Sequence, residues 1–345
     1  NTICFYCDFA HRVYDFDLAE KWLNRLDKEI EDNRSDQYET IYIGGGTPSC
    51  LSDEQLDHLL TMIDPYTKQV QEYTIEVNPE SLDQNKIDIF RKHNINRISM
   101  GVQSADDEIL KTLNRRHTYD DVRKSIRLLK ENSLDNISVD LMYSLPGQDM
   151  KILEKTVEEI LKLDVPHISL YSLTIEENSV FGKKGIESLD EEIEADMYEY
   201  IDKTLKDNGY IHYEVSNFCK EGFESKHNMG YWLYDDFLGL SIGASGKIGN
   251  RRYTNTRNFN KYIDSEDIRD EDLELSIEDM KFENIMMSLR TIHGLDIDGF
   301  NKKYGCDLLK EYEKGICQKE IRIENGKLIC TNLEMLNHIL LEFMK

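Results

Sequence analysis

Two cysteines, Cys4 and Cys7, stand at the start of the chain and are separated by a Phe-Tyr spacer. A C-x-x-C pair brings two thiolates close enough to form a redox pair, half of a zinc site or part of an iron–sulfur site. The sequence has no second C-x-x-C and no nearby histidine pair that would complete a zinc tetrahedron. The redox motif normally follows a strand, which is absent here. The spacing alone therefore decides little.

The other five cysteines lie singly among apolar or loop residues, where a thiol usually packs as a small apolar side chain. They are Cys50, Cys219, Cys306, Cys317 and Cys330. The total of seven is odd, and the printed sequence does not open with a secretory apolar region. We therefore expect a reducing, cytoplasmic environment rather than a disulfide framework.

The composition is that of an acidic globular protein, with 39% apolar residues and a net charge of −25. Binding to a phosphate backbone needs clustered Lys and Arg, so nucleic acid is not an expected partner. No run approaches the roughly 18 consecutive apolar residues of a membrane span. We expect no membrane-spanning segment.

A second pattern is the strand-like Ile41-Tyr42-Ile43, which runs into Gly44-Gly45-Gly46-Thr47. Glycine permits a sharp bend and the close approach of a ligand to the backbone. An ordinary strand-to-helix turn, with Ser49 or Ser52 capping the next helix, explains the pattern equally well. The spacing differs from that of a P-loop or a dinucleotide fingerprint, so phosphate binding is not indicated.

Short β-branched runs alternate with amphipathic stretches, which is typical of repeated βα units around a parallel sheet. The predicted strands are Thr40–Ile43, Tyr73–Val77, Arg97–Gly101, Asn136–Met142 and His167–Ser172. The predicted helices include Asp53–Ile63, Gln84–His93, Tyr119–Asn132 and Met150–Lys162. Periodicity does not separate a barrel from a doubly wound sheet. Polar motifs directly after the strands favour a (β/α) barrel, which gathers its site at that end.

These polar motifs follow successive predicted strands. They are Glu76-Val77-Asn78-Pro79, Gly101-Val102-Gln103-Ser104, Arg115-Arg116-His117 and the stretch from Asp140 to Gln148. For any one of them alone, a surface ion pair or a helix cap is the more frequent explanation. At the strand ends of one barrel, however, they converge on a single mouth.

The acidic run Asp264–Glu278 is the predicted boundary between two units. Beyond it we predict helices over Asp279–Thr291 and Asp298–Tyr304, followed by a hairpin over Glu320–Cys330 that turns at Asn325-Gly326. Helices with a small hairpin resemble a winged-helix-like α+β domain. Because this tail carries more acid than base, DNA binding is not expected.

The chain resembles the HemN/HemW family of radical S-adenosylmethionine (SAM) proteins, the oxygen-independent coproporphyrinogen oxidase group. The resemblance rests on Cys4-x-Tyr-Cys7-Asp-Phe, Gly-Gly-Gly-Thr-Pro-Ser, Glu-Val-Asn-Pro, Gly-Val-Gln-Ser and Asp-Leu-Met-Tyr-Ser-Leu-Pro-Gly-Gln, in this order. It covers nearly the whole chain. It implies an α/β fold, namely an incomplete parallel (β/α)6-type radical SAM barrel with its extension over residues 1–265 and a small C-terminal domain over 279–345.

The resemblance implies a [4Fe–4S] cluster held by three thiolates in C-x3-C-x2-C, with one iron left open for SAM. Cys4 and Cys7 match the last two ligands. Counting back from Cys4, the first thiolate falls immediately before Asn1. We therefore expect that the printed sequence begins one residue late and lacks both that cysteine and the strand leading to it. If the chain truly starts at Asn1, a degenerate barrel without a cluster is the alternative.

The same resemblance implies which residues contact SAM. Gly45, Gly46 and Thr47 match the turn that receives its amino-acid end, and Glu76 matches a SAM-contacting carboxylate. Further matches are Tyr6, Gln103, Arg115, Asp140 and Thr174. In HemN several of these serve a second SAM.

Two features place the sequence nearer to HemW, the haem chaperone branch, than to the HemN oxidases. HemN-type oxidases carry an additional cysteine two residues after the third cluster ligand, where this sequence has Phe9. The stretch His227-Asn228-Met229-Gly230-Tyr231-Trp232 matches the H-N-x-x-Y-W motif associated with haem binding. This match makes His227 a candidate axial ligand. Without the family, His227 is a solvent-side histidine for which a packed structural role is at least as frequent.

The resemblance therefore implies a protein that binds haem and passes it to acceptor apo-haem proteins. The alternative is an oxygen-independent coproporphyrinogen III oxidase, in which a SAM-derived radical attacks the propionate side chains. A reductant such as flavodoxin or ferredoxin is implied if radical chemistry occurs. A homodimer and a membrane-associated acceptor are compatible with the family.

Overall fold

The computed structural model describes residues 3–10, 12–33, 35 and 38–344. Its main sheet has seven strands. Five run parallel, in chain order: β1 (Thr40–Ile43), β2 (Glu72–Val77), β3 (Arg97–Gln103), β4 (Ile137–Tyr143) and β5 (His167–Ser172). This confirms the predicted parallel-rich α/β class, in which the sheet forms a half-barrel. The further strand predicted before the first cysteine lies outside the described residues.

The sheet ends in an antiparallel pair that the sequence did not predict. Strand β6 (Ile211–Glu214) leads into β7 (Asn217–Cys219), and β7 pairs with β5. The strand order is therefore β1-β2-β3-β4-β5-β7-β6, with β1 and β6 at the edges.

Helices connect and cover the strands. They are α1 (Phe16–Asp32), α2 (Asp53–Ile63), α3 (Gln84–Lys92), α4 (Asp107–Thr112), α5 (Tyr119–Glu131), α6 (Met150–Leu161), α7 (Val180–Lys183) and α8 (Glu191–Asp207). Each begins at a capping side chain that accepts a hydrogen bond from a first-turn amide; Ser52, for example, accepts from Gln55 N. The apolar faces of α2, α3, α5, α6 and α8 contribute to one core with the central strands.

A second sheet follows the half-barrel. Helix α9 (Lys226–Trp232) precedes it. Strand β8 (Ser245–Ile248) pairs with β9 (Arg251–Asn255), and β9 also pairs with β10 (Arg269–Glu274). Helix α10 (Phe259–Asp264) connects β9 to β10 in the chain. Strand β10 lies inside the acidic run that we predicted as a boundary. Arg251 of β9 donates two hydrogen bonds of 2.5 Å to Asp272, which offsets part of the charge of this acidic edge strand. The domain division itself stays a prediction.

The last part of the chain has its own apolar core. Its elements are α11 (Ile277–Ser288), β11 (Leu295–Asp296), α12 (Ile297–Tyr304), α13 (Leu308–Glu311), α14 (Glu313–Ile316), β12 (Ile321–Glu324), β13 (Lys327–Cys330) and α15 (Leu336–Leu340). The predicted hairpin is confirmed, because β12 and β13 pair around Asn325 and Gly326, both at positive φ. Among the described residues, no helix combines the length and apolarity needed to cross a membrane.

A buried carboxylate joins α1 to the second sheet. Glu29 is 5% exposed and accepts hydrogen bonds from the Tyr262 hydroxyl (2.6 Å), the Asn255 side-chain amide (3.0 Å) and the Ser241 backbone N–H (3.0 Å). Three donors from three distant stretches therefore converge on one residue of α1. This contact fixes the position of the second sheet against the half-barrel.

We expect Glu29→Ala to lower the free energy of unfolding by about 2–3 kcal/mol, because it leaves buried donors without an acceptor. Asp27→Ala, an exposed change on the same helix, should cost less than about 0.5 kcal/mol. Urea unfolding of both variants beside the wild type measures the difference. Equal losses in the two variants would contradict the role of Glu29.

Candidate functional site

The Cys4–Cys7 segment forms a turn that packs against the ends of α4 and α7. Cys7 N–H donates to the Cys4 carbonyl (3.2 Å), and Phe5 N–H donates to Leu113 O (3.1 Å). The Phe5 carbonyl accepts from Phe181 N–H (2.9 Å), and the two rings meet edge to face. Both thiols are free and half-buried, and burial raises the pKa of the Cys7 thiol. The turn holds both sulfurs on the same short segment.

Arg115 connects this turn to the strand ends. Its guanidinium lies 3.5 Å from Cys4 Sγ and donates to the Asn78 side-chain carbonyl (2.8 Å) and to Gly101 O (2.6 Å). Asn78 in turn donates to the Thr47 hydroxyl (3.1 Å). The chain of contacts thus runs from Cys4 through Arg115 and Asn78 to the glycine turn.

Because Gly101 has no Cβ, the side chains of Gln103 and Arg115 can both lie close to its backbone. A Cβ at this position would lie 3.0 Å from Gln103 Nε2 and 3.1 Å from Arg115 Nη2. Gln103 itself is buried and has a positive φ of 68°, which redirects the chain at the end of β3. The sequence predicted no contact for Asn78, which appears there only as part of a motif. Its position directly after a strand could have identified it as a site residue.

The glycine turn wraps around Glu76. One carboxylate oxygen accepts from the Tyr42 hydroxyl (2.8 Å) and the other from Gly45 N–H (3.0 Å). A Cβ on Gly44 would lie 2.4 Å from Glu76 Oε1, and Gly45 has a φ of +94°. Ser52 caps α2, as predicted for an ordinary strand-to-helix turn, while the approach of a ligand to the glycines stays a prediction. Tyr42, which sequence reasoning missed, lies within strand β1.

Asp140 lies on β4 and accepts from the Ser99 hydroxyl (3.2 Å). Burial raises the pKa of Asp140 to about 6 and that of Glu76 to about 7, and the negative charge of Asp140 adds to the rise at Glu76. The half-barrel thus holds two carboxyl groups whose ionised form a nearby cation would favour. Thr174 is exposed in the segment after β5 and takes no part in the contacts described above.

His227 lies in the first turn of α9, whose N-terminus is bound by Glu72. This carboxylate accepts from Lys226 N–H (2.9 Å) and His227 N–H (3.0 Å). The imidazole contacts the Thr40 hydroxyl through Nδ1 and the Tyr231 hydroxyl through Nε2, both at 2.8 Å.

The His227 ring also stacks on Tyr42, with centroids 5.2 Å apart. Burial lowers the pKa of His227, so the ring is neutral at pH 7. Aromatic neighbours leave the side chain half-buried, in keeping with the packed role that the sequence also allowed.

A cavity of about 2460 Å³ opens beside His227 and the glycine turn. Of the predicted site residues, Gly45, Gly46, Thr47 and His227 line it. Apolar side chains from the N-terminal segment, α1 and the 233–245 segment complete the wall; they include Phe9, Val13, Trp22, Phe237 and Leu240. The edge strand β1 lies along the cavity with residues 40–43.

The thiols of Cys4 and Cys7 are the donors that iron–sulfur clusters use. Within the described residues, no three His, Cys, Asp or Glu side chains converge on one metal position. The third thiolate that we predict, directly before Asn1, lies outside the described residues. The residues present therefore fit two of the three ligands of such a cluster.

The raised pKa of Glu76 predicts how stability depends on pH. The unfolded carboxyl ionises near 4.5 and the folded one near 7, so the folded state binds the extra proton in between. Wild-type stability should therefore fall, relative to Glu76→Gln, by about 3 kcal/mol as pH rises from 4.5 through 7, and level off about one pH unit above that.

Urea unfolding at several pH values measures this dependence. Asp120→Asn is the matched control, because the lowered pKa of this surface carboxyl keeps it ionised throughout that range. A stability difference between Glu76→Gln and the wild type that does not change with pH would contradict the burial of Glu76.

The Radical SAM superfamily model matches residues 1–160. "Heme chaperone HemW" of Lactococcus lactis is 39% identical over 324 residues, which cover 92% of this chain and 86% of the relative. "Heme chaperone HemW" of Bacillus subtilis is 37% identical over 322 residues, covering 89% and 85%.

The solved structure of coproporphyrinogen III oxidase (HemN) from Escherichia coli superposes with a TM-score of 0.84. It covers 99% of this chain and 87% of that chain at 17% identity, a likeness that concerns the fold alone. Because curated relatives above 30% identity span most of both chains, this chain belongs to the HemN/HemW family of radical SAM proteins.

Proposed function

We propose that the protein is a haem chaperone, which binds haem and transfers it to acceptor haem proteins. The carrying observation is the position of His227: the histidine of the H-N-x-x-Y-W stretch lines a large cavity with apolar walls, directly beside the glycine turn. A neutral imidazole and flat aromatic surface suit an iron porphyrin. Relatives that carry the name haem chaperone over nearly the whole chain support the same function.

In this proposal the chain also holds a [4Fe–4S] cluster and SAM. Cys4 and Cys7 bind two of the cluster irons, and Arg115 places a positive charge against Cys4. Glu76 and Gly45 receive the amino-acid end of SAM, since a carboxylate beside a backbone turn matches its ammonium and carboxylate groups. When bound, the cluster supplies the electron that cleaves SAM. The remaining contacts of the site orient SAM and exclude water.

We propose four further SAM contacts, which differ in what supports them: Tyr6, Gln103, Asp140 and Thr174. Gln103 meets Arg115 at Gly101, and Tyr6 lies in the Cys4–Cys7 turn. Asp140 is a half-buried carboxylate on β4, two strands from Glu76. Thr174 rests on the sequence match alone. Four other features also stay predictions: a flavodoxin or ferredoxin as reductant, a homodimer, a membrane-associated acceptor and a cytoplasmic location.

The oxidase alternative has less support. The likeness to HemN concerns the fold, and Phe9 stands where the sequence resemblance places an additional cysteine in HemN-type oxidases. Phe9 is 60% exposed and lines the cavity, so this position presents an apolar surface instead of a thiol.

We expect His227→Ala to weaken the binding of ferric haem by roughly tenfold and to shift its Soret band, because the axial nitrogen is lost. Absorption titration of the full-length protein measures both quantities. His293→Ala is the matched control, since His293 lines the same cavity but is held by Glu224 at 2.9 Å. If His227→Ala retained the wild-type spectrum, His227 could not be the ligand.

An anaerobic assay separates the chaperone from the oxidase. The protein with reconstituted cluster is incubated with SAM, a reductant and coproporphyrinogen III, and the products are separated by chromatography. We expect haem binding without any vinyl product. Decarboxylation to vinyl groups at a catalytic rate would replace the chaperone proposal by the oxidase.

A further inference from the structure

One wall of the cavity is built by the segment that directly follows the Cys4–Cys7 turn. Phe9 and Val13 line the cavity, and their side chains are 60% and 58% exposed. Ala10 packs at the other side of this segment, where its Cβ lies 3.5 Å from the position of a Cβ on Gly243. Large apolar side chains that remain exposed inside a cavity indicate a ligand with an extended apolar surface.

Two arginines border this apolar wall. Arg12 stacks on the Phe259 ring, with its guanidinium carbon 4.8 Å from the ring centroid, and Arg257 lies two residues before Phe259. Both arginines line the cavity. Stacking occupies the face of a guanidinium but leaves the N–H groups at its edge free to bind a carboxylate. Two forked cations thus lie in the wall of one cavity, in a chain of net charge −25.

The contacts of Arg257 are long and leave it accessible. Its guanidinium lies 3.4 Å from the Asp8 carbonyl oxygen and 3.7 Å from the Asp8 carboxylate, and its side chain is 61% exposed. At two other places in the cavity wall, a carboxylate already engages a basic side chain. Asp236 pairs with Lys247 at 2.7 Å, and Glu224 with His293 at 2.9 Å. The arginine pair is therefore the part of the wall that is available to an anionic ligand.

The cavity wall has two further lysines with different surroundings. Lys226 donates to Gln71 at 2.9 Å, beside the N-terminus of α9. Lys327 is exposed and begins strand β13 of the C-terminal hairpin. Neither lysine lies next to Phe9 or Val13 in the chain, whereas Arg12 directly precedes Val13 in the segment Phe9–Val13. A ligand that combines a flat apolar body with a carboxylate edge therefore fits Arg12 and Arg257 together with that segment.

We propose that Arg12 and Arg257 bind the propionate carboxylates of haem, while Phe9 and Val13 cover the apolar part of the porphyrin. This assignment rests on the proposed haem-binding function and names its anionic subsite. Arg–carboxylate pairs can form two parallel N–H···O bonds, so the pair also fixes which edge of the porphyrin faces outward. The propionates replace the loose contact of Arg257 with Asp8.

The test compares two ligands that differ only in the propionates: ferric protoporphyrin IX (haem) and its dimethyl ester. Absorption titrations determine the dissociation constant of each for the wild type, Arg12→Gln, Arg257→Gln and the double variant. We expect the double variant to bind haem roughly tenfold more weakly and each single variant about threefold more weakly, as exposed ion pairs contribute modestly. The affinity for the ester should not change.

Two controls separate this subsite from general electrostatics. Lys327→Gln removes a charge from the same cavity wall, and Arg322→Gln removes a guanidinium of similar exposure, 64%, from the C-terminal hairpin. Both should keep wild-type affinity for haem. Thermal unfolding of every variant checks that the exposed substitutions leave the fold intact.

Equal loss of affinity for haem and its ester in the double variant would overturn the propionate assignment, while leaving the haem-binding function standing. A loss in Lys327→Gln as large as in the arginine variants would overturn it as well. If the wild type bound neither porphyrin, the proposed function itself would fail, and the subsite with it.

Discussion

The site depends on the contacts of one partly buried guanidinium. Arg115 binds Cys4 Sγ, the Asn78 side chain and the Gly101 carbonyl, which belong to the N-terminal turn, the end of β2 and strand β3. A cation withdrawn from water needs such partners, and each partner would otherwise be short of a donor. One residue therefore sets the distance between the cysteine turn and the strand ends, and Asn78 extends this constraint to Thr47 in the glycine turn.

The cysteine turn and the cavity wall are parts of one continuous segment, and this links the two proposed functions of the site. Residues 4–7 are held against Leu113 and Phe181, whereas Asp8 to Val13 turn towards Arg257 and Phe259. Its described residues, 4–10, 12 and 13, belong to no helix or strand, so contacts such as these hold them in place. Whatever orders Cys4 and Cys7 also orders the apolar wall that starts two residues later.

The sequence predicts the parallel strands well because most of their apolar runs are buried, as in β2, β3 and β4. The bounds of β1, β5 and α2 are the predicted ones. The sequence does not predict β10, whose Arg-Asp-Glu-Asp-Leu-Glu sequence has no apolar alternation and whose Asp272 is paired with Arg251 of the neighbouring strand. The same limit applies to the site. Glu76 and the glycine turn follow strand ends and could be recognised, but Tyr42 meets Glu76 only through the register of β1 against β2.

The surroundings of His227 restrict how it could bind iron. Both imidazole nitrogens already have hydroxyl partners, so ligation through either one requires Thr40 or Tyr231 to give up a hydrogen bond, at a cost of about 1 kcal/mol. The ring also stacks on Tyr42, whose hydroxyl binds Glu76. A rotation of the imidazole would therefore disturb its stacking on Tyr42. A cation that ionises Glu76 would strengthen the hydrogen bond from the Tyr42 hydroxyl to the Glu76 carboxylate. Tyr42 is thus the side chain that the surroundings of His227 and of Glu76 have in common.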